Sequence, residues 1–173
     1  MKTVIAIMKV INIVNAKIAR VVSYCMPLFI LSLVYEVFAR YVFGAPTTWS
    51  FDATYFLCSL AMMLTMAYTW QMNAHVGVDI FLKKLPVKVQ AAWLSICMVV
   101  LFFVTWFMII GVMFSDVVES WRILEHSTIG FLPPVYPYKT WILIGTIMMV
   151  FQGFNVLVKE LYRLIKGKEL IIT

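Results

Sequence analysis

Val89-Gln-Ala-Ala-Trp-Leu-Ser-Ile-Cys-Met-Val-Val-Leu-Phe-Phe-Val-Thr-Trp-Phe-Met-Ile-Ile-Gly-Val-Met-Phe-Ser115 is a run of 27 residues without Asp, Glu, Lys or Arg. A helix rises 1.5 Å per residue, so about 20 apolar residues cross a hydrocarbon layer of about 30 Å. This run is long enough to span a membrane. Two more qualify: 26 residues from Ala53 to Val78 and 19 from Thr140 to Val158. A fourth, the 15 residues between Arg20 and Glu36, is short, so one of those charges must lie at the interface or snorkel to it. Trp49 and Trp70 bracket the second run, and Trp141 and Tyr162 the last. Each pair is separated by roughly 31 Å of helix, the distance between the aromatic belts of a bilayer. The pattern predicts an all-α membrane protein forming a single domain over 1–173. Its four transmembrane helices are expected at about 18–38, 51–71, 89–114 and 140–160.

Composition agrees. Of the 173 residues 64% are hydrophobic and 13% charged, with a mean hydropathy of +0.96, against about half apolar and a quarter charged in soluble domains. The net charge of +6 is carried by residues between the apolar runs. That points to anionic headgroups of the lipid bilayer rather than nucleic acid. Cys25, Cys58 and Cys97 all lie in apolar stretches without CxxC or His spacing, so they read as packing residues. No uninterrupted apolar region follows the basic start, so the first span is expected to stay in the mature protein.

Orientation follows from Lys and Arg. The N-terminal segment, the second loop and the C-terminal tail together hold eleven: Lys2, Lys9, Lys17, Arg20, Lys83, Lys84, Lys88, Lys159, Arg163, Lys166 and Lys168. The first and third loops hold three: Arg40, Arg122 and Lys139. The imbalance places both termini in the cytoplasm. At 100° per residue Lys2, Lys9, Asn12, Lys17 and Arg20 fall within an arc of about 140°, into which Ile5 and Ile13 intrude, so residues 1–17 are expected to form an amphipathic helix lying on the inner leaflet. The alternative is an extension of the first span. The third loop, about Asp116 to Lys139, is the largest segment expected outside the membrane, and Pro133, Pro134 and Pro137 favour a stiff, extended connector there.

Several chemistries are not supported. No ionisable residue lies near the middle of a span, which argues against a self-sufficient small exporter. Glu36 and Arg40, four apart with the acid first, read as a structural ion pair. His75 and His126 fall in loops on opposite sides of the membrane, so they cannot share a haem. No phosphate loop, nucleophile–base set, cofactor site or metal site is visible, and an enzyme is not expected. Thr54, Ser59, Thr65, Ser95, Thr105 and Gln152 are expected to bond the backbone or a neighbouring helix.

The stretch Glu36-Val-Phe-Ala-Arg40-Tyr-Val-Phe-Gly44, followed by Pro46, Trp49-Ser50 and Asp52, resembles the first-loop signature of one family. That family is the small membrane subunit (DctQ type) of tripartite ATP-independent periplasmic (TRAP) transporters. His75-Val-Gly-Val-Asp79 is similar to its HxxxD loop, and Ser120-Trp121, Glu125 and Pro134-Val-Tyr-Pro137-Tyr-Lys139 are similar to one branch. Asp52 stands where Glu is expected, and Gly77 where Arg or Ile is usual.

The resemblance implies two partners, a large TRAP membrane subunit and a transient periplasmic substrate-binding protein, in a bacterial inner membrane. It implies sodium-coupled uptake of an organic acid or similar solute, with this chain bracing the large subunit. A chain with no midplane charge and no broken helix agrees, since it lacks the parts of a transporter site. By topology Arg40, Asp52, Trp121, Arg122, Glu125 and Tyr136 face the periplasm, either as a docking surface for the binding protein or as a cap on the helices. The alternative function is a membrane anchor for a soluble enzyme.

Overall fold

The structure, a computed structural model, describes residues 2–72, 86–128 and 132–167. The elements are α1 (Lys2–Ser23), α2 (Cys25–Tyr41), α3 (Thr48–Gln71), α4 (Val87–Cys97), a π-helical segment (Met98–Phe103), α5 (Val104–Arg122) and α6 (Tyr136–Lys166). Among the described residues there is no strand, only one isolated bridge between His126 and Pro134. Among the described residues four helical stretches are long and apolar enough to cross a membrane: Thr3–Tyr41, Thr48–Gln71, Val87–Arg122 and Tyr136–Lys166.

α6 is the hub. α1, α3, α4 and α5 all pack on it, whereas α2 rests mainly on α3. Small residues let neighbours approach α6 closely, which in lipid replaces the hydrophobic effect as the means of joining helices. A Cβ added at Gly145 would sit 3.1 Å from the Met63 backbone carbonyl carbon and oxygen on α3. A Cβ at Gly153 would run into the Phe102 ring. Around these contacts Val22, Ala61, Leu64, Ala67, Met148 and Met149 form a buried cluster, flanked by Trp70, Phe102 and Trp106.

The first stretch is one long rod with a hitch. Tyr24 keeps helical backbone angles but its N–H bonds Val21, a tighter turn, and Pro27 has no N–H to offer Ser23. Its 39 residues would measure about 58 Å if straight, far more than a hydrocarbon layer. Asn12, placed by its sequence spacing with the polar arc, instead accepts a hydrogen bond from Asn155 of α6. Asn15 beside it is buried and donates to Gln152 at 3.0 Å. A polar group facing other helices gains more from a carboxamide partner than from turning back toward lipid.

Two further differences concern helix continuity. The third stretch contains a π-helical segment, which widens the turn so that Phe102 covers Gly153 while the adjacent Phe103 packs on Phe154, ring centroids 4.5 Å apart. The third loop is also shorter than expected. α5 continues through Asp116 and Glu119 to Arg122, and Pro137 lies inside α6 rather than before it. A proline in the first turn of a helix loses only an N–H that has no intrahelical partner there. Of the six polar residues expected to be bonded within spans, five are: Ser59, Thr65 and Ser95 to carbonyls one turn back, Thr54 to Ser32, and Gln152 to Asn15.

Candidate functional site

α3 and α6 begin at the same end of the bundle, where Phe56 stacks on Tyr138 with centroids 4.5 Å apart and the Ser59 and Tyr138 hydroxyls are 2.7 Å apart. The α2–α3 and α5–α6 connections therefore lie at this end, and with them Arg40, Asp52, Trp121, Arg122, Glu125 and Tyr136.

The α2–α3 corner is built on Glu36. Its carboxylate receives the Arg40 guanidinium at 2.7 Å and, on its other oxygen, the Thr47 N–H at 3.0 Å and the Thr47 hydroxyl. Thr47 is the residue before the first turn of α3, so the acid of one helix sits at the positive N-terminus of the next, a favourable placement. The Glu36–Arg40 pair is thus a corner brace between two helices rather than a decoration of one. Ser50 completes the joint by donating to the Ser32 carbonyl at 2.9 Å, and Tyr35 and Trp49 pack with centroids 5.4 Å apart. Asp52 differs from the surface role expected of it. It is buried, because the first turns of α3 press this face against the bundle.

The α5–α6 connection is a folded cap. Leu124, with φ of +49°, reverses the chain after α5, and Val135 N–H returns to the Glu125 carbonyl. Lys139 then bridges two acids of the other arm, Asp116 at 3.0 Å and Glu125 at 2.7 Å. The Ser120 hydroxyl donates to the same Glu125 oxygen. The Lys139 ammonium, and then the Ser120 hydroxyl, hold the Glu125 carboxyl below its ordinary range by stabilising the charged form. Trp121 closes the clamp, donating its ring N–H to Thr140 at 2.8 Å and packing on Tyr136 at 4.6 Å. Arg122 reaches outward. Its side chain is 79% exposed and pairs with Glu119 at 3.6 Å.

The structure thus brings Arg40, Trp121, Arg122, Glu125 and Tyr136 to one end of the bundle. Glu125 and Tyr136 are committed to holding the cap together, while Arg40, Trp121 and Arg122 keep accessible surface. His75 and Asp79 lie outside the described residues. Among the described residues no three His, Cys, Asp or Glu side chains gather in a metal-holding group. The arrangement offers charge and aromatic surface for docking. A model of the DctQ component of tripartite ATP-independent periplasmic transporters matches residues 29–166.

The chain belongs to the DctQ family.

It is therefore a multi-pass membrane protein and the small membrane subunit of a TRAP transporter. No curated protein and no solved structure matches it. The DctQ match begins within α2 and runs to the end of α6, so it covers both connections at the charged end, and α1 lies before it. At the opposite end of this DctQ chain Gln152 bonds a neighbouring helix as its sequence position suggested, whereas Asn15 and Asn155 went unforeseen. The buried Asn15, Gln152 and Asn155 join α1 to α6. Their signal was available in outline, since Gln152 and Asn155 are the only carboxamides between Thr140 and Val158.

Proposed function

We propose that this subunit braces the large TRAP subunit, which carries the substrate, and does not carry substrate itself. The transporter takes up an organic acid or similar small solute, coupled to sodium and delivered by a periplasmic binding protein. The observation that supports this reading is the filling of the bundle. Among the described residues Asp52 is the only buried ionisable side chain, and it lies in the first turns of α3 at the charged end, away from mid-membrane. A coupling site for ions or an anionic substrate needs charged groups or paired helix ends near the midplane. Here that depth holds close-packed Met, Leu and Ala, with Gly145 against α3.

The chain sits in a bacterial inner membrane with both termini cytoplasmic, as the distribution of Lys and Arg supports. The charged end then faces the periplasm, where Arg40, Trp121 and Arg122 are positioned to meet the binding protein. Residues 2–17 of α1 lie along the inner leaflet, which suits a first stretch too long to span the membrane upright. Co-expression with the large subunit tests the assembly: the two co-purify in a stable complex. Recovery of this chain free of the large subunit under mild detergent contradicts the role.

A further inference from the structure

A cavity of about 420 Å³ lies between the α1–α2 junction, α3 and α6. Val21, Leu57, Leu60, Trp141 and Ile144 form apolar walls, and Lys17 is the charged group at its edge. The size falls within the range of ligand sites, and an apolar cavity of this kind takes an apolar guest rather than ordered water. Val21 and Trp141 are both more than half exposed, so the cavity is open toward the surrounding lipid. Lys17 is exposed and has no carboxylate partner among the described residues.

The depth of Lys17 identifies the guest. Two residues away, Asn15 bonds Gln152, and Gln152 lies about 24 Å along α6 from Tyr136. In a hydrocarbon layer of about 30 Å, that puts the Lys17 ammonium within reach of the headgroups at the edge opposite the charged cap. A narrow apolar groove ending in an unpaired cation at headgroup depth matches a molecule with a flexible apolar chain and an anionic head. Such a lipid supplies the apolar chain and the counter-charge in one molecule.

We propose that this groove holds an acyl chain of an anionic phospholipid whose headgroup pairs with Lys17. The site is independent of the transport role. The test uses the full chain purified in detergent and titrated with phosphatidylglycerol or phosphatidylcholine, with bound lipid counted by native mass spectrometry. Phosphatidylglycerol is retained preferentially. Lys17→Gln weakens that retention about fivefold, as expected for one cation at a lipid surface, leaves phosphatidylcholine unchanged, and Lys17→Arg restores it. Phosphatidylglycerol brominated in its chains quenches the Trp141 fluorescence, read as the difference from Trp141→Phe. Equal retention of the two lipids, retention indifferent to Lys17→Gln, or an unquenched Trp141 overturns the proposal. So does loss of quenching in the complex with the large subunit, which would give the groove to a partner helix.

Discussion

Gly145 and Gly153 carry more of this structure than their size suggests. Gly145 lets α3 approach until the Met63 backbone lies where a side chain would begin, and backbone atoms have no rotamer by which to yield. Gly145→Val therefore wedges α3 from α6 and lowers stability by about 1–3 kcal/mol, the usual cost of overpacking a close-packed site. Thermal unfolding of the purified protein, followed by size-exclusion fluorescence, measures it; an unchanged midpoint would contradict the close contact. Both glycines are plain in the sequence, but the atoms facing them come from segments 82 and 51 residues away. Asp52 illustrates the same limit. Its position near an expected loop suggested exposure, whereas the winding of α3 turns it inward. Glu36 and Arg40 were legible because their contact is local, while the capping of Thr47 needed the corner to be seen.

Helices were legible where apolar runs define them, and their ends were not. α5 carries Asp116, Glu119 and Arg122 on its last turns, since a helix emerging from the membrane can continue in water with charged residues on its surface. α6 starts as early as Tyr136 because Pro137 falls where its missing N–H has no cost. Together these extensions turn an expected loop into a clamp: Lys139 on one arm holds Asp116 and Glu125 of the other, and Trp121 locks onto Thr140. The clamp separates two roles that the sequence had joined. Glu125 and Tyr136 stabilise the cap, and the exposed Arg122 is the residue proposed to meet a partner. Arg122→Glu should therefore slow uptake at low binding-protein concentration, most strongly at low salt, because rim charges act on association rate. Excess binding protein rescues it in part, and the large subunit stays bound. Loss of the large subunit from this variant on purification would make Arg122 an assembly residue instead.

For the whole molecule, the division between a charged, clamped end and an apolar, close-packed middle is the feature that matters. It joins the DctQ assignment to the proposed bracing role, because a bundle whose helices are tied together by bonds such as Asn15–Gln152 can hold a moving partner without moving itself. The fold was legible as four spans; the hub position of α6 was not, since its apolar run looks like the others and only packing distinguishes it. Orientation is testable directly. With Cys25, Cys58 and Cys97 replaced, Thr128→Cys should react with an impermeant thiol reagent on intact cells, and Lys88→Cys and Lys166→Cys should not. Reaction at Lys88→Cys from outside would reverse the topology. The bracing role itself is decided by reconstitution. Liposomes containing this chain alone should take up no organic acid under an inward sodium gradient, whereas liposomes containing it with the large subunit, supplied with the binding protein, should take it up. Sodium-driven uptake by the chain alone would contradict the account.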